Sequence, residues 1–362
     1  MTTSSTPARL ARLRAALVEA DIDALLVSQP ENRRYLSGFT GSAGWLLITA
    51  DQALFATDFR YFEQVGMECP DFELVPMERT FADVLPAMLA RAGVRRLGFE
   101  ADFATFADVQ AWSKAAPDTE WAPTKELVIR LRAVKDAVEI SALRAAIQLA
   151  DEALAAALAQ AHGGMTEREL AWLIESYMRT HGAEAVSFDI IVAGGPNGAR
   201  PHARATDTPL PAGVPIVIDM GARLNGYCSD ITRTICLGEP ADPGRFWEVY
   251  HTVLRAQQAA EAALRPGMTG QEADAVAREI ITEAGYGEYF GHHLGHGVGL
   301  AVQEEPRLSR TNTAALAPGN CVTVEPGIYL PGWGGVRIED IVLITEDGVE
   351  VLTAAPKGAI IA

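Results

Sequence analysis

The chain has 362 residues, 49% of them hydrophobic and 21% charged, which excludes a disordered polymer and exceeds what one ordinary core holds. Thirty basic residues against 47 acidic give a net charge of −17, a field that repels phosphate backbones and anionic lipid, so nucleic-acid and membrane partners are not expected. Small neutral or zwitterionic substrates and divalent cations remain compatible with that charge, which solubility alone would also explain.

The opening MTTSSTPARLARLRAAL lacks the apolar run of a signal peptide, and nothing later reaches the ~18 apolar residues of a membrane span. Cys69, Cys228, Cys236 and Cys321 form no C-x-x-C and no regular framework, so the expectation is a reduced, cytoplasmic protein. Residues 8 to about 125 alternate short strands (ALLVS, GWLLITAD, QALFATD) with helices (ARLRAALVEA, VLPAMLARAG), the pattern of a small α/β domain. A boundary near residue 130 gives two domains, 1–130 and 131–362. Beyond it, a long amphipathic helix from about Asp136 to Ala161 stops at Gly163-Gly164.

An internal echo follows. Gly164-Met165-Thr166-x-x-Glu169 and Gly267-Met268-Thr269-x-x-Glu272 are offset by 103 residues, and each reads as a capping box opening a helix. A long helix precedes each box (about 136–161 and 245–264), and strands carrying paired acids come after. The expectation is a duplicated α-α-β unit, two halves related by a pseudo-two-fold axis and sharing one antiparallel sheet.

In the first half, VPIVIDMGARL and YCSDITRTICL are joined by Asn225-Gly226, a type I′ hairpin signal. A two-residue loop sets Leu224 opposite Tyr227, Gly221 opposite Asp230 and Asp219 opposite Thr232. With a period of two, Asp219 and Asp230 then share a face of otherwise apolar strands. In the second half, NCVTVEPGIYL carries Glu325 and GGVRIEDIVLIT carries Glu339, with Arg337 on the same face. Between them, GHHLGHGVGLAVQEEP crowds His292, His293 and His296 into five positions. Four buried carboxylates repel unless divalent cations compensate them, and His296 can add a neutral nitrogen. Asp219, Asp230, His296, Glu325 and Glu339 therefore suit a di-metal centre. Its oxygen-rich ligation favours Mn²⁺ over a structural Zn²⁺, and it can hold a bridging hydroxide and polarise a carbonyl.

These residues resemble the pita-bread metallopeptidase family, which includes Xaa-Pro dipeptidase, aminopeptidase P, methionine aminopeptidase and creatinase. The motifs are IDMG…SDITRT at 218–234, HLGHGVGL at 293–300, VTVEPGIY at 322–329 and GVRIEDIVLIT at 335–345; NRRYLSGFTGSAGWLLIT and TDFRYFEQ resemble the family's N-terminal domain. The resemblance implies an α+β pita-bread catalytic domain with an internal pseudo-two-fold duplication, preceded by a smaller α/β creatinase-like domain. It implies two divalent ions, Mn²⁺ foremost with Co²⁺ or Zn²⁺ possible, bridged by Asp230 and Glu339. It gives His202 and His292 substrate-contacting catalytic roles, His202 at the tetrahedral intermediate, and makes Glu325 both ligand and proton acceptor. It also implies a homodimer.

The expected activity is exopeptidase cleavage of the Xaa-Pro bond in small peptides with proline second, by prolidase or aminopeptidase P action. A creatinase-like or methionine-aminopeptidase-like member, or a non-enzymatic binding member, is the alternative. The chain departs from the family at Gln303, seven residues after His296, where Xaa-Pro peptidases commonly carry histidine; Gln can bind substrate but carries no proton as imidazole does. Arg337 can orient a carboxylate. Of the loop arginines, Arg310, beside Thr311, is the expected cation for a prolyl carboxylate, with Arg307 as the other.

Overall fold

The computed structural model describes residues 5–361, which form two compact units divided between Arg132 and Ala133. In the first, six strands form one mixed sheet in the order Glu73–Met77, Ala53–Asp58, Trp45–Thr49, Ala24–Val27, Arg96–Glu100, Glu120–Thr124. Ala24–Val27 is central, antiparallel to Trp45–Thr49 and parallel to Arg96–Glu100. All four of its residues are buried, as a strand covered on both faces requires. Thr80 and Asp83 close a capping box at the start of helix Phe81–Ala92, and Gly93 ends it in the left-handed conformation at φ 66°.

The second unit repeats a pattern. Helix Ala137–Leu158 precedes Glu167–Thr180, and helix Pro243–Ala263 precedes Gly270–Glu283. Both second helices open with the expected capping boxes, Thr166 with Glu169 and Thr269 with Glu272. Each pair packs on its own core. One gathers Leu149, Leu170, Ile174, Val192, Ile218 and Ile235; the other gathers Val249, Val253, Ile281, Val322, Ile338 and Val342.

Strand registers follow the turns. Asn225 and Gly226 adopt φ 52° and 79°, the two positive values of a type I′ turn. Leu224 pairs with Tyr227 and Asp219 with Thr232, the expected register. A second hairpin pairs Val324 with Asp340 and Gly327 with Arg337. Both hairpins break regular pairing at corresponding places: between Met220 and Ala222 and between Cys228 and Ile231 in one, and between Val324 and Gly327 and between Arg337 and Asp340 in the other. Asp230, Glu325 and Glu339 sit in those breaks.

The expected single shared sheet is not what forms. A four-stranded sheet (Ile360–Ile361, Ile231–Leu237, Ile216–Met220, Ile191–Gly194) and a five-stranded sheet (Glu304–Leu308, Gly295–Gly297, Cys321–Val324, Asp340–Ile344, Val349–Val351) stay separate, and Cys236 pairs with Ile360 in parallel. The physical reason is the interruption itself, because a bend that turns a carboxylate inward also removes ladder hydrogen bonds. The halves are instead stitched by single bonds, Glu339 N to Thr232 O at 3.1 Å and Thr234 Oγ1 to Arg337 O at 2.9 Å.

Beneath that seam lies a buried charge network. Arg233 donates to the carbonyls of Thr232 (2.9 Å) and Glu339 (2.6 Å) and to Asp340 Oδ1 (2.7 Å). Lys357 Nζ lies 2.6 Å from Asp340 Oδ2 and 3.4 Å from Glu261 Oε2. Burial, with Asp340 nearby, pushes the Glu261 carboxyl up to about 7. The folded chain thus keeps a proton that the unfolded chain releases near pH 4.5. The resulting stabilisation is complete below that pH and is lost as pH rises through about 7. Thermal melting of the wild type should fall between about pH 4.5 and pH 7, and Glu261→Gln, which cannot ionise, should flatten that fall.

Candidate metal centre

Five side chains reach one place from both hairpins and the loop between them. Asp219 is the penultimate residue of strand Ile216–Met220, Asp230 precedes Ile231–Leu237, Glu325 follows Cys321–Val324, and Glu339 precedes Asp340–Ile344. His296 occupies the middle of the short strand Gly295–Gly297. A Cβ on either flanking glycine would collide with backbone, with Thr323 O at Gly295 and Glu305 O at Gly297. The glycines around the imidazole therefore permit close strand approach.

Asp230, His296 and Glu339 are buried, and one ligand atom from each lies within 4.8 Å of the others. His296 Nε2 is 3.3 Å from Glu325 Oε1 and 3.7 Å from Asp230 Oδ2. Nδ1 of the same ring lies 3.0 Å from Gly297 O. A carbonyl only accepts, so the proton resides on Nδ1, and Nε2 presents its lone pair to the carboxylates. Burial pushes this imidazole down to about 4, which keeps it neutral.

The carboxyls move the opposite way. Burial, then repulsion from Glu339, Asp219 and Glu325, raises Asp230 well above the carboxylate range. Burial, followed by Glu325 and Asp219, does the same to Glu339. Burial pushes Glu325 up to about 7 and raises Asp219 despite Arg337. Two buried oxygens, Asp219 Oδ1 and Glu339 Oε1, have no hydrogen-bond partner. Unpaired acceptors beside a neutral imidazole and carboxyls that resist ionisation are the donor set of a divalent cation site, and the residues fit it.

Supporting groups fix the orientations. Thr232 Oγ1 donates to Glu339 Oε2 at 2.7 Å and accepts from Arg337 Nε at 3.0 Å. Arg337 also holds Asp219 Oδ2 at 2.5 Å and donates to Tyr329 Oη at 2.7 Å. Burial works to lower this guanidinium, but Tyr329, Asp219, Glu325 and Glu339 outweigh it and raise it further. Thr323 Oγ1 accepts from His296 N at 3.1 Å and donates to Glu325 Oε1 at 3.2 Å.

A cavity of about 540 Å³ opens over the cluster. Asp219, Asp230, His296 and Glu325 line it, and Glu339 lies beneath. His202 reaches it from an exposed loop. His292, half-buried, also lines it; Nδ1 donates to His293 O at 2.7 Å, so Nε2 accepts from Tyr329 Oη at 3.0 Å. Burial, with Arg337 adding to it, pushes His292 down to about 4. Gln303 and Arg307 line the wall together, Arg307 Nη1 donating to Gln303 Oε1 at 2.9 Å. Arg337 lines the wall too, whereas Arg310, exposed beyond strand Glu304–Leu308, is not among the lining residues.

Sequence reasoning gave no role to Tyr329, Thr232 or Thr323, although all three lie in the motifs that carry the ligands. It also passed over Phe188 and Asp189 on the cavity wall, for which spacing offered no signal.

Comparison with known proteins agrees with this geometry. Residues 141–346 match metallopeptidase family M24, and residues 9–134 match the creatinase/prolidase N-terminal domain. The chain is 39% identical to an Xaa-Pro dipeptidase of Pyrococcus furiosus over 96% of this chain and 98% of that one. Among solved structures, it resembles an Xaa-Pro dipeptidase from Bacillus anthracis (44% identity, TM-score 0.96, covering 99% of this chain and 100% of that one). It also resembles an X-Pro aminopeptidase from Thermotoga maritima (40%, TM-score 0.89, 98% and 100%). With a creatinase-type N-terminal domain followed in sequence by a pita-bread catalytic unit, the chain belongs to metallopeptidase family M24.

Proposed function

We propose that the protein is a metal-dependent exopeptidase that hydrolyses the Xaa-Pro bond of dipeptides. The observation that carries this is the buried group of Asp230, Glu339 and a neutral His296, flanked by half-buried Asp219 and Glu325 and holding two orphaned oxygens, in a chain similar over nearly its whole length to Xaa-Pro dipeptidases. Asp219, Asp230, His296, Glu325 and Glu339 would hold two divalent ions. Such ions act as Lewis acids on the scissile carbonyl and lower the pKa of the attacking water.

The chain's own residues supply the rest. Glu325 takes the proton of the attacking water on a carboxylate oxygen, oriented by Thr323 Oγ1. His202 donates to the oxygen that becomes negative as the carbonyl is attacked. His292, fixed through Tyr329 by Arg337, orients the substrate from the other side. The bond before proline has no N–H, so recognition depends on the ring and the far carboxylate. Arg307, held by Gln303 on the cavity wall, would receive that carboxylate. Its place among the lining residues supports Arg307 over Arg310 for this role and dipeptidase over aminopeptidase action.

The proposal extends to Mn²⁺, which suits four carboxylates and one imidazole. No helix among the described residues is long and apolar enough to cross a membrane. A cytoplasmic homodimer is proposed on the sequence resemblance.

Asp230→Asn should lose bound metal and lower kcat on Ala-Pro by roughly 10³-fold or more; full activity with metal retained would refute the proposal. Arg307→Ala should raise KM for Ala-Pro at least about tenfold while sparing Ala-Pro-Ala, whose proline carries no free carboxylate. Equal losses on both would instead place Arg307 in general support of the wall.

A further inference from the structure

The strand that enters the cavity from the first half is irregular in one place. Val186 pairs with Ala222, and Ile191 pairs with Asp219. Residues 187–190 therefore face only Met220 and Gly221, two residues more than a regular ladder accommodates. The surplus forms a bulge directly beside the ligand Asp219. Bulges next to active sites commonly re-aim side chains, and here Phe188 and Asp189 line the cavity while Ile190 packs on the core below.

Asp189 differs from the other acids on that wall. Asp219, Asp230 and Glu325 belong to the metal cluster; Asp189 is the remaining carboxylate among the described lining residues. It is exposed, and among the described residues no hydrogen bond or ion pair engages it. The cation Arg307 stands on strand Glu304–Leu308 of the five-stranded sheet, whereas Asp189 lies two residues before strand Ile191–Gly194 of the four-stranded sheet. The two charges thus come from opposite halves of the duplicated unit. A peptide whose carboxylate meets Arg307 has its first residue toward the half that carries Asp189.

We propose that the Phe188–Asp189 bulge selects the residue before proline, favouring a long cationic side chain, Lys or Arg. The inference rests on the Xaa-Pro function proposed above. The methylene stem of such a side chain would lie against the Phe188 ring, as long basic side chains do on apolar surfaces, with its charge at Asp189. Exposure argues for the side chain over the substrate's α-ammonium. An obligatory anchor present in every substrate calls for a buried partner, whereas an exposed carboxylate gives a graded, salt-sensitive preference. The net charge of −17 adds a long-range attraction for cationic peptides.

The test compares kcat/KM for Lys-Pro and norleucyl-Pro, which match in length and differ in charge, on the manganese-loaded wild type, Asp189→Asn and Asp189→Glu. The wild type should prefer Lys-Pro by about fivefold at low ionic strength, and the preference should shrink in about 1 M salt. Asp189→Asn should bring the ratio near one, and Asp189→Glu should retain a preference. Cleavage of both peptides without preference, or a ratio unchanged in Asp189→Asn, overturns the inference and leaves the proposed function standing. An equal fall on both peptides in Asp189→Asn also overturns it, since that would place the α-ammonium at Asp189. Failure of the wild type to cleave either peptide overturns the proposed function and the inference with it.

Discussion

Much of the catalytic unit follows from one constraint: four carboxyl groups and an imidazole converge on one place, Asp230, Glu339 and His296 buried and Asp219 and Glu325 half-buried. Burial and mutual repulsion raise Asp230 and Glu339 far above the usual carboxylate range, so the cluster carries its full negative charge only with compensating cations. A folded chain maintains that arrangement only if the backbone around it is held firmly. The hairpins therefore break at the ligands and are then fastened by side chains. Thr232 and Arg337 hold Glu339 and Asp219 from above, and Arg233 grips the Thr232 and Glu339 carbonyls from below.

The duplication makes this geometry economical. Each α-α-β half builds its own core and contributes carboxylates from one interrupted hairpin, and the loop between the halves adds His296. No ladder joins the two sheets at the seam. The ions the cluster is built to hold would therefore add to what fastens the halves together, alongside the Arg233 network and the Glu339–Thr232 backbone bond. Function and stability meet at the same residues.

The convergence of the candidate ligands was legible in the sequence because its signals are local. Asn225-Gly226 dictates a two-residue turn, the turn dictates the register, and the register sets Asp219 opposite Thr232. Paired Thr and Glu residues announce both capping boxes for the same reason. What escaped depends on backbone irregularity or on partners distant in sequence. The bulge at 187–190 has no composition signature, so nothing in the sequence singles out Phe188 and Asp189. Tyr329 gains its role only once Arg337 and His292 are brought to its hydroxyl. The choice between Arg307 and Arg310 turned on which residues stay inside strand Glu304–Leu308, a boundary that alternation of polar and apolar residues does not fix. The expected common sheet failed because pairing rules extrapolate regular strands through the positions where these strands bend.

The most direct measurement is calorimetric titration of metal-stripped protein with Mn²⁺, repeated in buffers of different ionisation enthalpy so that protons released on binding are counted. A cluster whose carboxyls are held partly protonated by burial predicts two ions bound per chain with net proton release near neutral pH, and Glu339→Gln should abolish the paired binding. Absence of binding, or binding at a single site with no protons released, would contradict the account.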